Sequence, residues 1–297
     1  MRSDEMKLPK ILPPTDDLVF KTILMHPDTR DSLKDIITSF TGITVKEVAL
    51  VNTELPKGDV FEKMERLDVN CATDSGDQVN VEMQTAAVEG DSALNEHKGL
   101  KTRFIYNLCD LHSSQRGKGI DYKDMVRSYQ LTFCGFPVFA GRDAPFNWFK
   151  LRSEDGFLLS EDINIGFVDL TKLGEILRKP VRAMNGAEGW SVFIKYADNP
   201  NYEGLIESIT AARREIKMAN EVLVHISQDE HERAKFRSRR KFLADWDHSM
   251  IVSRKEGKAE GKAEVALEML QKGMDISLIS ELTNLSISEI ETLKTKL

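Results

Sequence analysis

Residues 66–84 read RLDVNCATDSGDQVNVEMQ. Two alternating runs flank Asp74-Ser75-Gly76, a loop whose glycine suits the left-handed position of a three-residue hairpin. That turn fixes a register. Thr73 faces Asp77, Cys71 faces Val79, Val69 faces Val81 and Leu67 faces Met83, so one side of the ribbon is apolar. On the other side Asn70 faces Asn80, Asp68 faces Glu82 and Arg66 faces Gln84. A slip of one residue sets Asp68 against Met83 and mismatches every pair. Directly opposed residues have Cβ atoms roughly 4.5–5.5 Å apart, where two carboxylates repel unless a positive group lies between them. Arg66 is one such neighbour. A divalent cation is another, since Mg²⁺ takes one or two carboxylates together with waters and phosphate oxygens. A solvated sheet face on which two acids meet is the plainer reading, and the hairpin alone leaves both open.

Working outward, Thr15 or Asp16 caps a helix DLVFKTILM that Pro27 interrupts, and TRDSLKDIITSF forms a second helix ending near Gly42. VKEVALVNTEL reads as a first strand, with residues 66–72 and 78–85 as the second and third. Beyond the hairpin, Leu94, Leu100, Phe104, Ile105, Leu108 and Leu111 recur at helical spacing. RSYQLTFCGFPVF is a further strand with Tyr129, Leu131 and Phe133 on one side. The order helix, three strands, helix, strand predicts an α/β fold, a mixed central sheet with helices packed on it. Residues 141–200 say less; DGFLLSEDINIGFVDL reads as a hairpin or a strand extension.

From Tyr202 to about Ile251 the pattern is helical and charged. RKEGKAEGKAE (254–264) is either a charged linker or a frayed helix. The remainder forms a small helical tail, 265–297, whose last piece opens on a Ser286–Glu289 capping box. Its final helices look like a helix-turn-helix fragment but offer few basic residues to a groove, which favours an oligomerisation or docking module.

The chain has 297 residues, 41% hydrophobic and 30% charged, with a net charge of −7, which does not advertise a polyanion binder. Local clustering matters more than the sum. Residues 233–241 read RAKFRSRRK, a run with no acid in it, and Arg237, Arg239, Arg240 and Lys241 suit phosphate contact as well as a merely solvated helix face. Cys71, Cys109 and Cys134 have no paired spacing, which fits a reducing compartment and gives no zinc motif. The six histidines are scattered. GKAEGKAE lacks the spacing of a nucleotide-binding loop. No apolar run approaches the ~20 residues of a membrane span. No organic cofactor, no membrane and a cytoplasmic location are expected.

Four stretches together resemble one family: DDLVFKTIL, ERLDVNCATDSGDQVNVEMQ, the helix with TRFIYN, and RSYQLTFCGFPVF. They are similar to the PD-(D/E)XK nucleases, and within them to the Rpn family of recombination-promoting nucleases, often labelled transposases. The tail from KEGKAEGKAE onward also resembles tails of that family. The resemblance implies a restriction-endonuclease-like αβββαβ core over residues 11–200, a charged helical region at 201–253 and the tail beyond. It implies Mg²⁺, with Mn²⁺ as a substitute, held by Asp68, Glu82 and the backbone carbonyl of Met83. It also implies a water-mediated attack on a DNA phosphodiester. Gln84 stands where such nucleases usually carry lysine and brings no positive charge; either a second metal or a cation from elsewhere is expected to fill the gap, with Lys21, Lys101 and Arg103 as the candidates. Asp17 and Lys21 match a D-x-x-F-K stretch, and their spacing equally makes a helix salt bridge. Arg103 and Tyr106 lie about a turn apart, placed either to meet a phosphate or to be an ordinary surface arginine and a packed tyrosine. The implied activity is a DNA endonuclease of low sequence specificity that promotes recombination, with a homodimer as the natural route to double-strand cleavage. Alternatives are a catalytically weak or inactive DNA-binding protein of the same fold, or a regulatory protein acting through its tail.

Overall fold

The computed structural model describes residues 10–51, 69–85, 98–115 and 121–295. Asp16 caps the first helix, its carboxylate accepting from the Leu18 and Val19 amides, and α1 (Asp17–Met25) stops before Pro27. α2 (Arg30–Thr41) ends where Gly42 turns into the left-handed region at φ 77°. Three strands follow: β1 (Val48–Leu50), β2 (Val69–Thr73) and β3 (Gln78–Gln84). α3 (Lys98–Ser113) then crosses to β4 (Ser128–Cys134). β5 (Phe146–Lys150) and β6 (Ile163–Asp169) complete a mixed sheet in the order β1-β2-β3-β4-β6-β5. The neighbours β1-β2, β2-β3 and β5-β6 are antiparallel, and β3-β4 and β4-β6 are parallel.

The hairpin register is the one its turn dictates: Val69 pairs with Val81, Asn70 with Asn80 and Cys71 with Val79. Gly76 sits at φ 88°, a conformation that costs glycine nothing, and the Thr73 amide closes onto the Asp77 carbonyl at 2.9 Å. Asp77 is 2% exposed. Arg127, at the mouth of β4, grips it with two bonds of 3.1 and 2.8 Å, which ties the turn to the next strand.

Alternation gives the sheet two unlike faces. Val79, Val81 and Met83 of β3 lie beside Tyr129, Leu131 and Phe133 of β4, all buried. α1 and α2 cover this face, with Phe20 and Phe40 against Phe133 at ring distances of 5.4 and 5.0 Å. The opposite face is apolar only under α3, where Leu100 and Phe104 join Cys134, Val138 and Phe167. Elsewhere it is polar: Asn80, Glu82, Gln130 and Thr132 are all buried there.

Residues 141–200 hold more sheet than the sequence indicates. β6 is an interior strand parallel to β4, and β5 is the edge strand beside it. A short hairpin bridging Arg152 and Leu158 precedes β6. α4 (Gly174–Leu177), α5 (Gly186–Tyr196), α6 (Glu203–Ala212) and α7 (Arg214–Gln228) follow.

The chain divides at residues 233/234 into two compact units. α8 (Glu230–Gln271) is one continuous helix, and residues 254–264 are helical throughout. α9 (Ile276–Thr283) and α10 (Ile287–Lys294) are joined through Asn284, in the left-handed region at φ 55°. Ala266, Ile279 and Ile290 form the small core of this second unit. Among the described residues no helix is long and apolar enough to cross a membrane.

Candidate functional site

The polar face of β3 carries Glu82 and Gln84 towards the strand's C-terminal end. Glu82 is 8% exposed, and a carboxylate that far from water needs partners. α3 supplies one. A single terminal guanidinium nitrogen of Arg103 donates to Glu82 Oε1 at 2.8 Å and to Gln84 Oε1 at 2.6 Å. β4 supplies another: Gln130 Nε2 donates to Glu82 Oε2 at 3.4 Å. The structure therefore brings together Glu82, Gln84 and Arg103 of the residues singled out in the sequence, and adds Gln130. The signal for Gln130 was the polar half of the β4 alternation, Ser128, Gln130 and Thr132, opposite the apolar half.

Asp68 and Arg66 lie outside the described residues. The pairing that is described stops at Val69 opposite Val81, the pair adjacent in sequence to Asp68 and Glu82. Met83 turns its side chain to the apolar face, so any part it plays at the site is through its backbone. Lys21 is fully buried in α1, unlike an ordinary surface lysine, and a buried ammonium needs close oxygen partners. Asp17 accepts from the Leu18 amide at 2.7 Å in the first turn. Lys101 stands over the Phe139 ring at 4.9 Å, and Tyr106 is 70% exposed.

Arg237, Arg239, Arg240 and Lys241 are on α8. Arg237, Arg240 and Lys241 share a face by their three- and four-residue spacing, while Arg239 points off it. The Arg240 guanidinium lies over the buried Phe236 ring at 5.8 Å.

Cys134 lies in register with Gln84, close enough to invite a role. Its chemistry argues otherwise. Burial pushes its thiol well above the usual range, the Asp169 and Glu82 carboxylates push it further, and Arg103 offsets only part. Burial likewise raises Cys71 to about 12. Neither thiol supplies a thiolate to a metal or a substrate.

Among the described residues no three His, Cys, Asp or Glu side chains come together in a metal-binding group. The Glu82 side chain offers carboxylate oxygens, and the groups bonded to it, Arg103 and Gln130, are neither nitrogen nor sulfur ligands of a metal. That set does not suit zinc, which prefers nitrogen and sulfur. It fits a hard ion that takes one or two carboxylates and keeps its waters.

A family model described as PD-(D/E)XK nuclease family transposase matches residues 14–253. A second, described as the Rpn/YhgA-like nuclease family C-terminal HTH domain, matches residues 259–295. The second match bears out the helix-turn-helix likeness of the tail. Neither the curated proteins nor the solved structures yield a match.

Proposed function

Since the chain belongs to the PD-(D/E)XK nuclease family of transposase type, we propose that it is a metal-dependent DNA endonuclease working at the β3 site. The observation that carries this reading is the Arg103 guanidinium bridging Glu82 and Gln84. Where related sites use a lysine on the strand, this chain places a positive charge on the neighbouring helix. Gln84 gives its carbonyl to Arg103, which links the two side chains at the end of the strand.

Asp68, Glu82 and the Met83 carbonyl would hold Mg²⁺ or Mn²⁺, which would supply activation of a water and neutralisation of phosphate charge. Glu82 would orient the attacking water, and Arg103 would stabilise the phosphate oxygens as negative charge accumulates on them. Asp17 and Lys21 are auxiliary, fixing the α1 edge of the site. Arg237, Arg240 and Lys241, with Arg239 beside them, grip the DNA backbone. Their contacts carry no base information, which accords with low sequence specificity. α10 ends on one lysine, Lys294, so α8 is the stronger source of phosphate contacts. Two copies acting together would convert nicks to the double-strand breaks that promote recombination in the cytoplasm.

Supercoiled plasmid incubated with Mg²⁺, Mn²⁺, Ca²⁺ or EDTA tests this, with Asp68→Ala and Glu82→Gln in parallel. Metal-dependent nicking lost in both variants is the expected result. DNA binding without cleavage under any metal would instead identify a non-catalytic DNA-binding protein of the same fold.

A further inference from the structure

The geometry points to Gln130 as a positioning residue for Glu82, fixing the carboxylate for the metal. The inference rests on the metal-site reading above and goes beyond it to a strand that reading does not use.

The two oxygens of Glu82 are addressed from opposite sides. Oε1 meets Arg103, whose side chain is 42% exposed. Oε2 meets Gln130, which is 0% exposed. An exposed arginine can swing away towards a phosphate; a fully buried glutamine on an interior strand cannot. Gln130 Nε2 also donates to the Thr132 hydroxyl at 3.2 Å, which fixes the plane of the amide. Reversing that amide would set its carbonyl against Glu82 Oε2, acceptor against acceptor, so the orientation follows from the chemistry.

The other end of the same amide supplies the second argument. Gln130 Oε1 is buried without a hydrogen-bond partner among the described residues. A buried acceptor left in that condition costs stability, and an apolar side chain of similar shape would remove the cost. Methionine would remove that cost, but it would also take the Nε2 donor from Glu82 Oε2 and from the Thr132 hydroxyl. What glutamine supplies is a buried donor anchored on Thr132 and aimed at Glu82, which places the carboxylate. Such outer partners orient ligands to metals and commonly tune affinity.

The test is Mn²⁺ binding followed by electron paramagnetic resonance on the full chain, with plasmid cleavage measured as a function of Mn²⁺ concentration. Wild type, Glu82→Gln and Gln130→Met are compared, alongside Gln130→Asn, an amide too short to reach Glu82. Gln130→Met is expected to stay folded, to bind Mn²⁺ about tenfold more weakly, and to regain most of its cleavage rate at saturating metal. Gln130→Asn is expected to show the same weakening and carries the test if the methionine variant does not fold. Unchanged Mn²⁺ affinity in a folded Gln130 variant, with binding lost in Glu82→Gln, overturns the assignment of Gln130 and leaves the metal site standing. Absence of Mn²⁺ binding in wild type overturns both.

Discussion

The two faces of the β3–β4 ribbon are built from alternate residues of the same strands, yet they hold themselves together by different means. On one, Val79, Val81, Met83, Tyr129, Leu131 and Phe133 interlock with α1 and α2 and need only shape. On the other, Asn80, Glu82, Gln84, Gln130 and Thr132 need partners, and some of those partners are incomplete. Gln130 Oε1 is buried with no hydrogen bond among the described residues. A sheet built only for stability would have two faces like the first. The contrast shows one face settled by packing and the other tolerating an unpaired buried acceptor, with the packed face behind it.

That contrast can be broken most severely at Glu82. Glu82→Gln should reduce cleavage by about 10³-fold or more, a loss of about 4 kcal/mol of transition-state stabilisation, while the melting temperature barely moves. Leu131→Ala, at a residue 0% exposed on the apolar face, should do the reverse. It should cost about 3 kcal/mol in denaturant unfolding while activity per folded molecule is kept. A Leu131→Ala protein that is folded yet inactive would show that the two faces are not separable.

Asp77→Ala probes a tie that serves both faces. It leaves Arg127 facing an empty position at the turn, and a loss of about 3 kcal/mol is expected. This is the low end for a broken buried pair, because the Arg127 side chain is 35% exposed. The smallest effect lies one layer behind the apolar face. Burial holds the Asp35 carboxyl above the usual carboxylate range, and the Trp190 indole N–H, donating at 2.7 Å, offsets only part of that. A value raised on folding means the fold favours the protonated acid. The contribution is present in acid and is lost as pH rises through the raised value. Asp35→Asn keeps an acceptor for the indole. It should therefore raise the melting temperature slightly at pH 7 and leave it unchanged at a pH below the ordinary aspartate range.

Both faces of β3 were legible in the sequence because a turn with one feasible register sets the alternation, and the observed pairs Val69–Val81 through Cys71–Val79 follow it. Arg103 was legible as a cation on the next helix, though not its double contact. Gln130 was hidden for a physical reason. A polar residue alternating with apolar ones looks like a solvated face, and nothing local says that α3 and a further strand will bury it. Extended structure at INIGFVD was legible as a hairpin or strand extension, but not its place as an interior strand parallel to β4, since such partners are set by crossovers rather than by an adjacent turn. Residues 254–264 lack apolar periodicity and place like charges four apart, Glu256 with Glu260 and Lys258 with Lys262, so their helicity comes from the segments on either side.

The parallel pairing of β3 with β4 also orders events in time. The hairpin closes over three residues, but Gln130 lies 48 residues beyond Glu82, and β4 is flanked on its far side only when β6 has formed. On an elongating chain the carboxylate is thus synthesised well before the strand that holds it. A ribosome-bound chain that has not yet reached Asp169 carries the acidic residues of the site without its frame. The buried setting of Glu82 is therefore a property the chain acquires only once its sheet-forming half, through Asp169, has emerged.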